Sequence, residues 1–144
     1  MPAAQTSKGN DIIFLRDTSG SFSAHTRQLT EAIAEIAEEV DLSQDRIMVI
    51  NTTPATRASV TVPLTNDLKV IKDGLTRTAA SNVTTDSGFE YALTNYNGFK
   101  GDTDNNTIFI LISDNDAYGV QRTVDGATKV KKCWLQGRWN LYWK

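Results

Sequence analysis

Residues 11–22 read DIIFLRDTSGSF, and the way this stretch stops decides the fold. Four apolar side chains in succession, Ile12, Ile13, Phe14 and Leu15, show no in/out alternation. That is the pattern of a strand buried on both faces, and so of a central parallel strand. The run ends on Asp17, followed by Thr18, Ser19, Gly20 and Ser21, so a buried strand delivers a carboxylate and two serine hydroxyls at its last step. A turn leading into a helix N-cap would account for such a junction, because Asp, Ser and Gly are the residues it prefers. The remainder of the chain distinguishes that reading from a site.

Working outward, the period changes from about Ser23. Leu29, Ile33, Ile36 and Val40 fall at helical spacing, with Glu31, Glu35, Glu38 and Glu39 on or near the other side, which predicts an amphipathic helix covering a sheet. Residues 46–53 (RIMVINTT) form a second apolar run and residues 58–64 (ASVTVPL) a β-rich one. The short TPATR link makes these two an antiparallel pair, and Pro63 puts the second at a sheet edge. Leu68, Ile71 and Leu75 predict a second helix over 66–76, with Asn66 as its N-cap. After the polar loop TAASNVTTDSG, a third helix is expected from about Ser87, with Phe89, Ala92, Leu93 and Tyr96 on one face. Residues 107–113 (TIFILIS) are the clearest buried strand, and this one also ends at an aspartate, Asp114. A short helix within 117–132 and a final strand over 139–143 (WNLYW) complete the pattern.

Strands alternating with helices, and apolar runs without alternation, predict an α/β fold: a doubly wound, mostly parallel sheet with one antiparallel edge strand and helices on both faces. The chain divides into a flexible tail over 1–10 and one domain over 11–144. At 144 residues it is long enough for a proper core. The net charge of −2 offers no basic footprint for nucleic acid. The single cysteine, Cys133, excludes an internal disulfide and a multi-cysteine zinc site. The polar start MPAAQTSKGN and the lack of any bilayer-length apolar stretch point to a soluble protein, expected in the cytoplasm. His25 finds no partner for general-base work and reads as a surface residue. Trp134, Trp139 and Trp143 read as core or edge packing.

In open α/β sheets, ligands bind beyond the carboxyl ends of parallel strands. Asp17 and Asp114 each stand at such an end. If those strands are neighbours, both carboxylates converge on one crevice with Ser19 and Ser21, and the loop at 83–87 enters a helix within reach. The set is all oxygen: two carboxylates, two serine hydroxyls and a threonine hydroxyl. Such donors suit a hard cation, and Mg²⁺ in particular takes one or two carboxylates and keeps several waters.

The segment Asp17-Thr18-Ser19-Gly20-Ser21 resembles the D-x-S-x-S motif of von Willebrand factor A (vWA) domains, which form a metal-ion-dependent adhesion site. TDSGFEYAL resembles the family's second loop, T-x-x-G-x-A-L, and FILISD its third, all in the family's order over residues 11 to about 116. The resemblance implies hydroxyl ligands at Ser19, Ser21 and Thr85, with Thr84 in reserve, and supporting carboxylates at Asp17 and Asp114. It implies Mg²⁺ or Mn²⁺ as the cation and a protein partner that presents Asp or Glu to the open metal position. Three departures from the family stand out. Arg16 replaces an apolar residue and is expected to put a charge near the metal or on the rim, Asn115 stands where the family has glycine, and the carboxyl-terminal part is shorter than in the family.

Two other resemblances compete. A phosphatase of the haloacid dehalogenase type would use Asp17 as nucleophile, but it wants an aspartate at position 19, which is serine, and Lys129 matches its lysine only loosely. SDNDAY after DTSGS also resembles the vWA part of Ro-type RNA-binding proteins, against which the acidic net charge argues.

Overall fold

The structure is a computed structural model and describes residues 8–17, 24–52, 59–77, 105–112, 128 and 139–142. In chain order the elements are β1 (Asn10–Asp17), α1 (Thr26–Glu39), β2 (Arg46–Thr52), β3 (Ser59–Thr65), α2 (Leu68–Leu75), β4 (Asn106–Ile112) and β5 (Trp139–Tyr142). The strands form one sheet in the order β3-β2-β1-β4-β5. β1 lies between β2 and β4 and runs parallel to both, and β5 runs parallel to β4. Only β3 is antiparallel, paired with β2 at the edge. The fold is the mostly parallel α/β sheet that the apolar runs imply, with Pro63 on the edge strand as expected and both described helices on one face.

The pleat divides β1 between two faces. Ile12 and Phe14 join Ile47, Val49 and Val62 in a cluster closed by Leu29, Ile33 and Ala37 of α1 and Ile71 and Leu75 of α2. On the opposite face Ile13, Leu15, Met48, Ile50, Phe109 and Leu111 are buried as well. Burial on both sides is why these strands read as continuous apolar runs, and each fully buried Ile, Leu or Phe contributes roughly 1.5–3 kcal/mol. The third expected helix lies outside the described residues, and of the stretch 117–132 only Thr128 is described, in helical conformation.

Several boundaries differ from expectation for physical reasons. The apolar stripe of α1 is completed by Ala37, while Ile36 is 37% exposed, because Leu29, Ile33 and Ala37 follow a strict four-residue step and Ile36 falls beside it. The N-cap of α2 is Asp67 and not Asn66: its Oδ1 accepts from the amides of Lys69 (2.9 Å) and Val70 (3.2 Å). Asn66 instead donates through Nδ2 to Leu42 O at 3.1 Å. β1 begins at Asn10, inside the stretch read as a tail, because the amide and the side chain of Asn10 both donate to Asp45 Oδ1, at 2.8 and 3.0 Å. β3 bulges twice against β2: Ile47 pairs with Thr65, Val49 with Val62 and Ile50 with Val60, so β3 spends an extra residue at each step. The first extra residue falls at Pro63–Leu64, where proline has no amide to donate. α2 packs on the bulged segment through Gly74, where a Cβ would stand 2.4 Å from Thr61 O, so only glycine permits that approach.

Candidate metal centre at the carboxyl ends of the strands

Since β1 and β4 are parallel neighbours, in register from Asn10 opposite Asn106 to Arg16 opposite Ile112, their carboxyl ends lie side by side. This is the arrangement on which convergence of the two aspartates depends. Asp17 closes β1 opposite Thr52 and is 2% exposed. A carboxylate taken out of water must be matched by hydrogen-bond donors or a cation, so its position at a strand end beside a loop of serines is chemically pointed. Ser19, Ser21, Thr84, Thr85 and Asp114 lie outside the described residues. Among the described residues no three His, Cys, Asp or Glu side chains gather into a metal-holding group.

Arg16 is the residue whose place departs most from the sequence reading. It is 0% exposed, the largest of the fully buried side chains, and it points to the α1/α2 face with Ile12 and Phe14. Nε donates to Asn51 Oδ1 at 2.8 Å, Nη1 to Thr30 Oγ1 and to Leu75 O, both at 3.0 Å, and Nη2 to Arg77 O at 2.9 Å. Burial pushes the guanidinium below its ordinary value, though an arginine stays charged throughout the accessible pH range. Arg16 is therefore not on the rim as expected: it is buried, and the pleat turns it to one face of the sheet and Asp17 to the other.

The sequence signal for this was present. Arg16 continues the face of Ile12 and Phe14, and Asn51 that of Ile47 and Val49, and the two are register partners. Two polar residues at matching ends of neighbouring apolar strands, on a core-facing parity, call for each other. The Arg16 contact fixes Asn51 with its oxygen toward the guanidinium, and Asn51 Nδ2 is buried with no acceptor among the described residues. His25 lies exposed before α1, within 3.2 Å of Gln28 Oε1, in keeping with a surface residue.

No protein-family model matches the chain, and no curated protein matches it in sequence. Solved structures do match it. Proximal thread matrix protein 1 from the mussel byssus, in a structure with a zinc-occupied MIDAS motif, superposes with a TM-score of 0.71 at 16% identity, over 94% of this chain and 37% of that one. BatB from Bacteroides thetaiotaomicron gives 0.67 at 17% identity, over 94% and 65% of the two chains. The vWF domain of the type V pili tip protein Mfa5 from Porphyromonas gingivalis gives 0.63 at 16% identity, over 79% and 40%. The fold is thus that of vWA domains, and the chain spans little more than a third of the byssus protein it resembles.

The expected donors fit a divalent cation by their chemistry. They are hard oxygens, and the one that the structure describes, Asp17, is a buried carboxylate at the carboxyl end of a central parallel strand.

Proposed function

We propose that the chain is a non-enzymatic interaction module that holds a Mg²⁺-type cation at the carboxyl ends of β1 and β4 and uses it to bind an acidic side chain of a protein partner. Ser19, Ser21 and Thr85 would hold the ion through hydroxyls, with Asp17 and Asp114 supporting it through hydrogen bonds and water. Such a shell has few direct anionic ligands, so the cation keeps its appetite for an external carboxylate. The observation that carries this reading is Asp17: buried, ending the central strand, beside a parallel β4, in a fold shared with proteins of which one has a zinc-occupied MIDAS motif. That two of the similar structures are a pilus adhesin and a pilus tip protein supports an adhesive role.

The test is calorimetric titration of EDTA-stripped protein with Mg²⁺ and Mn²⁺. Wild type is expected to bind one ion saturably, and Asp17→Asn and Ser19→Ala/Ser21→Ala to bind none while remaining folded. Equal binding by wild type and both variants would remove the site from this end of the sheet.

A further inference from the structure

The four hydrogen bonds described for Arg16 reach three elements and the segment that follows one of them. Asn51 is the last residue but one of β2, Thr30 belongs to α1, Leu75 is the last residue of α2, and Arg77 lies where the chain leaves that helix. The carbonyls at a helix C-terminus have no partner within the helix and carry the negative end of its dipole, so a cation placed there is favoured twice. A forked guanidinium can hold two such carbonyls and still reach the neighbouring strand, which a lysine cannot. From Arg77 the chain runs on to Thr84 and Thr85, and from Arg16 it runs directly into Asp17 and the serine loop. One buried side chain therefore ties together the departure points of two of the segments that carry the expected donors.

We infer that Arg16 is a positioning residue of the metal centre, clasping the end of α2 to the ends of β1 and β2 so that the chain running on to Thr85 leaves from a point fixed to the residue before Asp17. The inference rests on the metal-centre reading above. It also sets two effects of Arg16 against each other: its charge repels a nearby cation, whereas its hydrogen bonds hold the donors in place. The geometry assigns the larger part to the hydrogen bonds, because the pleat carries the guanidinium to the face away from Asp17.

The experiment compares full-length wild type, Arg16→Met and Arg16→Lys, each far below its unfolding midpoint, by Mg²⁺ calorimetry and by amide NMR spectra of the cation-free proteins. Arg16→Met is expected to weaken Mg²⁺ binding by about tenfold or more, in the range typical of residues that orient metal ligands. Arg16→Lys is expected to lose affinity to a smaller extent. In the cation-free spectra the peaks of residues 78–87 should move in both variants, while those of β4 stay in place. Folded Arg16→Met with unchanged Mg²⁺ affinity and unmoved peaks would reduce Arg16 to a packing role, and tighter binding would show that charge repulsion outweighs positioning; either overturns the inference. If wild type binds no cation, the metal-centre reading fails by itself, and the peaks of 78–87 still decide whether Arg16 fixes the exit of α2. Should Arg16→Met not fold, Arg16→Lys, which retains charge and stem, carries the same comparison.

Discussion

Asp11 and Arg16, near opposite ends of β1, are both 0% exposed, and the molecule satisfies them in different ways. Asp11 meets its opposite charge: Arg46 Nε and Nη2 donate to its two carboxylate oxygens, each at 2.8 Å, and Asn105 Nδ2 adds a third bond at 3.0 Å. Nearby, Asp45 Oδ1 takes both donors of Asn10, and a Cβ on Gly9 would stand 2.0 Å from Gln44 O, so the whole amino edge is closed upon itself. At the carboxyl edge the guanidinium of Arg16 holds the uncharged oxygens of Asn51, Thr30, Leu75 and Arg77, while Asp17, the next residue, is turned by the pleat to the other face. At the amino edge the buried carboxylate of Asp11 is paired with the guanidinium of Arg46. At the carboxyl edge Arg16 and Asp17, neighbours in sequence, stand on opposite sides of one strand.

The largest expected effect tests the closed edge. Arg46→Met removes the partner of a fully buried carboxylate and should cost roughly 3–5 kcal/mol of stability, read from urea denaturation, while leaving cation binding at the far end unchanged. A loss no larger than that of a surface substitution would break the contrast between the two edges. The carboxyl edge is tested by Asp17→Asn, which should abolish Mg²⁺ binding while leaving the protein folded and costing less stability than Arg46→Met. A loss as large as that of Arg46→Met would make both edges structural.

The smallest effect is electrostatic and belongs to the turn between α1 and β2. Ser43, through its hydroxyl at 2.5 Å and its amide at 3.0 Å, holds the Asp41 carboxyl below its ordinary value of 3.8, with a further contribution from Gln44. A carboxyl depressed in the folded state contributes stability that is complete above the unfolded value and is lost as pH falls through the folded one. Asp41→Asn should therefore lower the urea midpoint on the plateau above about pH 5 and flatten its decline between about pH 5 and pH 2, so that the two proteins converge at the acid end. An unchanged acid limb would mean that the carboxyl titrates alike in both states.

Much of this was legible in the sequence. Period and run length predicted the strands, both described helices, the antiparallel edge and the central place of β1, because burial on two faces leaves a continuous apolar run; that β4 is its neighbour entered only as a condition. Asp17 announced itself by ending such a run. Arg16 did not, because a charge in a core strand is readable only when its acceptors are known, and those come from residues 30, 51, 75 and 77, brought together by the fold. The N-cap moved by one residue from Asn66 to Asp67 for a smaller reason: either side chain can cap, and the entry angle of the chain chooses. The serine loop, Thr85 and Asp114 lie outside the described residues, so for them the motif resemblance stands by itself.

The bulged, proline-bearing β3 has a consequence for how the protein keeps company. An edge strand offers a ladder of unspent backbone donors and acceptors on which another chain can template itself. At Pro63 one rung is missing, and the two bulges leave the remaining rungs out of step. Along this edge the sheet cannot be extended in register by a passing strand, and so it resists the sheet-to-sheet stacking that turns an exposed edge into a seed for aggregation.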